Sequence, residues 1–300
     1  MKKIVYILLS LVFFTLSFGS QNLEEVRYKK IISMSMAGDE ILYDLVPHDR
    51  ILGMSGHSNT SEMKSVLNKK LDKFNKFDNN VEKIIEAEPD IVVAGDWLKR
   101  EIVLQLEDAD INVYIYKTPR SFEEIQDLIR ELGSVLDCEE KSQEIIDDMN
   151  TRLLKVQERI KGLNRETPRV LEYSYSESTN GKGSVFGDML QKVFAENIAS
   201  ENGIYRSAKI SKEKVIELDP EIIISPTWED VEITKKNDNV ALDFLTKDIS
   251  CQDIKAVKDK KVYVIPGKYI YIYSQYIIEG IEELAELIYQ FEEEKWFSKE

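Results

Sequence analysis

Apolar residues fall in short blocks that alternate with amphipathic stretches along most of the chain. Lys30–Met34 (KIISM) reads as a strand. Asp39–Val46 reads as a helix with Ile41, Leu42 and Leu45 on one side. Ile51–Met54 is a second strand, Val81–Ala87 a short helix stopped by Pro89, and Ile91–Ala94 a buried strand. Leu98–Asp108 is helical and Asn112–Tyr116 is a strand. Ser121-Phe122-Glu123-Glu124 opens the next helix as a capping box. This alternation predicts a mostly parallel sheet covered on both faces.

The rhythm breaks at mid-chain. Glu139 to Lys161 has neither Gly nor Pro and carries apolar residues at Ile145, Ile146, Met149, Leu153, Leu154, Val156 and Ile160. It predicts one helix about 35 Å long, closed by Gly162 and Pro168. Alternation then resumes: strands at Arg169–Tyr173, Glu221–Ser225 and Lys261–Ile265, helices at Ser184–Phe194 and Ser211–Leu218, and a long terminal helix from Ser274 to about Glu294.

Two segments repeat. Residues 79–95 (NNVEKIIEAEPDIVVAG) align with 210–226 (ISKEKVIELDPEIIISP) on Pro89 and Pro220. Asn80 matches Ser211 as helix cap, Glu82 matches Glu213, and Ile84 and Ile85 match Val215 and Ile216. The expected class is therefore α/β, with two similar lobes of mostly parallel sheet joined by one long helix and a ligand cleft between them. The expected boundaries are a signal peptide at 1–19, an N-terminal lobe at 20–137, the interlobe helix at 138–165 and a C-terminal lobe at 166–300.

Composition narrows the function. The net charge of −15 argues against nucleic acid. Lys2 and Lys3 precede an apolar run from Ile4 to Phe18, and Ser17 and Gly19 suit a signal-peptidase site, which reads as secretion. Neither cysteine, Cys138 or Cys251, stands at that cleavage point. The mature chain is therefore expected to be periplasmic, soluble and not a lipoprotein, without a structural disulfide.

In order and spacing, these segments resemble the substrate-binding proteins of ABC importers for iron siderophores, haem and cobalamin, those with a rigid interlobe helix. The resemblance rests on IISMSMAGDEILYDLVPHDRILGMSGHS, both repeats, the mid-chain helix, SVFGDMLQKVFAENIASENG and KDKKVYVIPGKYIYIYSQYIIEGIEELAELI. It implies a monomer that binds a small-molecule metal chelate and works with a permease dimer and its ATPase. It also implies that Glu82 and Glu213 dock on permease arginines. An acid there also has a local reason, since it complements the helix dipole.

The ligand should meet loops that follow strand ends. The candidates are Met36, His57, Trp97, Arg120, Tyr173, Tyr175, Arg206, Trp228 and Tyr271. Tyr and Trp cover flat chelate faces, and Arg pairs with anionic rims. With only two histidines, a bare transition-metal site is a poor fit. The metal is expected already chelated, with no cofactor and no protein metal site, and a ferric siderophore ahead of haem or cobalamin. Tyr269, Tyr271 and Tyr273 alternate with isoleucines. As a strand this run would present three tyrosines on one face, and a phenolate there is a conceivable haem ligand. An exported enzyme with a two-lobed cleft is the rival class. No nucleophile elbow, phosphate loop or zinc-protease motif supports it.

Overall fold

The structure, a computed structural model, describes residues 26–56, 65–227 and 242–291. The signal segment lies outside them. The first lobe contains β1 (Ile31–Ser33), α1 (Met36–Leu45), β2 (Ile51–Ser55), β3 (Lys76–Phe77), α2 (Val81–Glu86), β4 (Ile91–Gly95), α3 (Arg100–Glu107), β5 (Asn112–Tyr116) and α4 (Phe122–Val135). Its strands form a parallel sheet in the order β3-β2-β1-β4-β5.

One 24-residue helix, α5 (Glu139–Gly162), follows. The second lobe contains β6 (Arg169–Glu172), β7 (Ser178–Asn180), α6 (Val185–Lys192), β8 (Glu196–Asn197), α7 (Ile198–Glu201), β9 (Ser207–Lys209), α8 (Lys212–Leu218), β10 (Ile222–Thr227), α9 (Asp243–Thr246), α10 (Lys255–Lys258), β11 (Val262–Pro266) and α11 (Ile277–Tyr289). Its main sheet is parallel in the order β11-β10-β6-β8, and β7 and β9 form a separate antiparallel ribbon. The two-lobed α/β class expected from the sequence is borne out.

The repeats occupy equivalent places. β4 lies between the first lobe's opening strand and β5, and β10 lies between the second lobe's opening strand and β11. Asn80 Oδ1 accepts from Lys83 N at 3.1 Å, and Ser211 Oγ from Lys214 N at 3.3 Å, so α2 and α8 are capped alike. After each helix one residue takes a left-handed φ before a proline, Glu88 at 49° and Asp219 at 44°.

Period-two burial sets the layers. Ile31, Ile91 and Val93 face one core, while Ile32, Val92 and Ala94 face an outer cluster under α2 and α3. In the second lobe Val170, Ile222, Ile224, Tyr263 and Ile265 face the first of these cores, while Leu171, Ile223, Val262 and Val264 face another outer cluster. The inner core is thus continuous across both lobes. Ile125 and Ile129 of α4, Val156 and Ile160 of α5, and Ile281 and Leu284 of α11 belong to it. Arg152 of α5 grips Glu282 of α11 with two bonds, Nε to Oε1 at 2.9 Å and Nη2 to Oε2 at 2.6 Å.

Candidate functional site

The chain from Gly267 to Tyr276 follows β11 and bonds both to the end of β6 and to α1 of the first lobe. This stretch is not a strand. Gly267–Tyr269 forms a 3-10 turn, and Tyr271 N donates to Gly267 O at 2.8 Å. The alternation in burial survives nonetheless. Ile270 and Ile272 are buried, while Tyr269, Tyr271 and Tyr273 are half-exposed.

On the second-lobe side, β6 ends in Glu172, which is buried. Tyr271 Oη donates to Glu172 Oε1, and Asn180 Nδ2 donates to the same oxygen at 3.0 Å. Burial pushes the Glu172 carboxyl up to about 7. Burial, then the neighbouring Glu172 charge, drives the Tyr271 phenol well above its ordinary range. Burial raises the Tyr273 phenol above its ordinary range, the positive charge of Arg120, in the loop after β5, opposes that rise, and the charge of Glu172 adds to it.

The first-lobe floor is tied by polar contacts. Ser35 Oγ meets Tyr116 Oη at 2.6 Å and caps α1 through Gly38 N at 2.9 Å. Thr118 Oγ1 donates to Asp96 Oδ1 at 2.6 Å, joining the loops after β4 and β5. Beside this floor the lobes touch. Phe122 N donates to Asp188 Oδ2 at 2.8 Å, and Lys192 pairs with Glu123.

The expected ligand residues fare differently. Met36 begins α1 and is half-buried. Trp97 is 51% exposed, and its indole folds back over the end of β4. A Cβ on Gly95 would come within 2.5 Å of the Trp97 Nε1 atom, so the indole's position requires glycine there. Tyr175 is 80% exposed, edge-on to Phe244 at 5.7 Å. Arg206 is exposed, with its guanidinium 5.3 Å from the Tyr205 ring centre. Tyr173 is fully buried instead. It extends the β6 ladder by donating from N to Ile224 O at 3.0 Å, and it packs 5.6 Å from Phe244 in the outer core. His57 and Trp228 lie outside the described residues.

Glu172 was not singled out from sequence. Its one signal is an acid between Leu171 and Tyr173, at the end of an apolar run. Glu82 and Glu213 are both exposed in the first turns of α2 and α8. Cys138 caps α5 and Cys251 is buried in the second lobe, and both are free. Among the described residues no group of three His, Cys, Asp or Glu is placed to hold a metal ion. A hollow of about 680 Å³ between α1, α5 and the start of α11, lined in part by Tyr43, Asp44, Arg152 and Tyr276, lies where the chain enters β2, away from the strand carboxyl ends.

Residues 31–269 match the periplasmic binding protein family. An uncharacterized ABC transporter substrate-binding lipoprotein of Bacillus subtilis, YvrC, is 28% identical, with the alignment covering 87% of this chain and 80% of that protein. The crystal structure of a possible iron-binding, periplasmic solute-binding protein from Staphylococcus epidermidis superposes with a TM-score of 0.75 at 26% identity, covering 88% of this chain and 99% of that one. The periplasmic heme-binding protein RhuT from Roseiflexus shares the fold, with a TM-score of 0.71 at 16% identity over 87% of this chain and 98% of that one.

The name of the Bacillus relative overturns one expectation. A chain of this kind is not marked as free of a lipid anchor by the lack of cysteine near Gly19, since a relative aligned over most of its length is named a lipoprotein. A carrier must stay close to its importer, and a lipid anchor achieves that as well as enclosure does. A periplasmic or extracellular location fits the family. The matched span covers both lobes and the helix between them, as the resemblance drawn from the sequence implied: this chain belongs to the periplasmic binding protein family.

Proposed function

We propose that this chain is the substrate-binding component of an ABC importer, that it captures a chelated iron compound between its lobes, and that it hands this ligand to a permease dimer served by an ATPase. The observation that carries the reading is one stretch bonded to both lobes, through Tyr271 to Glu172 at the end of β6 and through Ser274 to Glu40 of α1. Trp97 and Tyr175 offer apolar faces on opposite lobes, as a flat or bulky chelate needs. Arg120 and Arg206 suit an anionic rim, which favours a ferric siderophore over haem or cobalamin.

The chain acts as a monomer. Glu82 and Glu213 seat it on the permease, one from each lobe, and fix its orientation. The shared inner core restricts the lobes to small rocking movements. Titration with ferric hydroxamate siderophores, haemin and hydroxocobalamin, followed by tryptophan fluorescence, tests the reading. The expected result is tight one-to-one quenching by a ferric siderophore without chemical change to it. Tight binding of haemin or hydroxocobalamin alone would overturn the siderophore assignment, and turnover of any of the three would overturn the carrier.

A further inference from the structure

Two glutamates at equivalent helix starts, one per lobe, match a partner that carries two equivalent cations. An exposed ion pair contributes little by itself and is screened by salt. An apolar side chain buried beside it contributes more and is indifferent to salt. The surface around each glutamate supplies such a side chain.

On α2, Ile85 follows Glu82 by three positions, so the two share a helix face. Ile84 is fully buried, whereas Ile85 is 37% exposed. On α8 the matching Ile216 is turned partly into the outer core of the second lobe. A different residue stands beside the helix start there. Ile249 is 90% exposed, the most exposed large apolar side chain among the described residues. Local bonds hold its turn. Asp248, just before it, accepts from Lys212 Nζ at 2.5 Å, from Ser250 N at 2.9 Å and from Ser250 Oγ at 2.7 Å. Lys212 is the neighbour of Glu213 in sequence, so this bridge ties the turn carrying Ile249 to the start of α8.

We infer that Ile85 and Ile249 are apolar anchors flanking Glu82 and Glu213, and that the partner is a dimeric permease presenting, in each subunit, a cation beside an apolar hollow. This rests on the docking reading above. Ile249 is almost fully exposed and Ile85 partly so, and serine at either position should cost the fold little.

The test measures binding of the full chain to its cognate permease–ATPase complex in lipid nanodiscs, at 0.15 M and 0.5 M salt (about 8 Å and under 5 Å of screening length). Ile249→Ser should weaken binding about tenfold and Ile85→Ser about threefold, with the salt dependence unchanged. Glu82→Lys/Glu213→Lys should abolish binding at low salt. Leu154→Ser, on the exposed face of α5, should bind as the parent does. Parental affinity in both isoleucine variants, with binding lost in the double glutamate variant, would overturn the anchors and leave docking intact. An equal loss in Leu154→Ser would also overturn them. Parental affinity in the double glutamate variant would remove the docking reading itself.

Discussion

Ser274 donates a 2.6 Å hydrogen bond to Glu40 Oε2, and the two residues belong to different lobes. Ser65 holds the other oxygen at 2.5 Å. Beside them Gln275 Nε2 donates to Glu40 O at 2.7 Å and to Asp44 Oδ2 at 2.8 Å, and Tyr276 Oη donates to Asp44 Oδ2 at 2.7 Å. The end of the tyrosine stretch is thus pinned to the first helix of the opposite lobe. With the inner core shared as well, wide movement of one lobe against the other is opposed.

The seam predicts an unusual pH response. Burial raises the carboxyls of Glu40 and Glu172 from 4.5 to about 7 each. Both hold their protons more tightly folded than unfolded. The stability they contribute is full below about pH 4.5 and lost as pH rises through 7. The melting temperature should fall by about 4 °C or more between pH 5 and pH 8. Glu40→Gln and Glu172→Gln should each flatten that slope. Glu221, held below its ordinary range by Lys255, acts oppositely, but below this window. A parental melting temperature that rises from pH 5 to 8 would contradict the assignment.

The Arg152–Glu282 pair joins α5 to α11 with little solvent at the Glu282 side. Arg152→Met leaves that carboxylate buried without its main partner. The expected loss is about 3 kcal/mol in urea unfolding, at the lower end for such pairs because Arg152 is partly solvated. Arg152→Met/Glu282→Met should recover at least half of it, because no charge is then stranded. A double variant as unstable as the single would show that packing, not charge, decides.

Tyr271 is expected to remain a neutral phenol. Burial and the neighbouring Glu172 charge both oppose its ionisation. Haemin added to the protein should therefore give no phenolate-to-iron charge-transfer band, and Tyr271→Phe should change haemin affinity less than about twofold. A charge-transfer band that disappears in Tyr271→Phe would revive haem as the ligand.

The strand–helix alternation, the long helix and the repeated unit were legible because each depends on local periodicity and capping. Residues 79–95 and 210–226 hold equivalent places in two sheets, as their alignment implied. Short elements were not legible. β8 has two residues and the β7–β9 ribbon pairs distant segments, so neither leaves a period to read. The tyrosine stretch showed its alternation but not its shape, because a turn at Gly267–Tyr269 replaces the strand. The site was the least legible part. Tyr173 follows Leu171 onto the outer face of the sheet, whereas Glu172 points the other way, to Tyr271. One residue of register separates a tyrosine in the outer core from an acid bonded to Tyr271.

The position of the tyrosines has its own steric requirement, at Gly280. A Cβ there would lie 1.8 Å from Tyr269 O and 2.7 Å from Met189 Cε. The methionine end can move, but a backbone oxygen inside a 3-10 turn cannot without carrying the turn along. Alanine is the better helix former by up to about 1 kcal/mol. The overlap should outweigh that gain, since forcing a methyl into a packed contact costs about 1–3 kcal/mol. Gly280→Ala is therefore expected to lower the melting temperature and to displace Tyr269 and Tyr271 relative to Glu172. Ligand affinity should fall about tenfold or more even though residue 280 is buried beneath the turn. Lower stability with parental ligand affinity would show that the turn shifts as a unit and that the tyrosines do not set the fit. Unchanged stability would show that α11 does not approach the turn this closely.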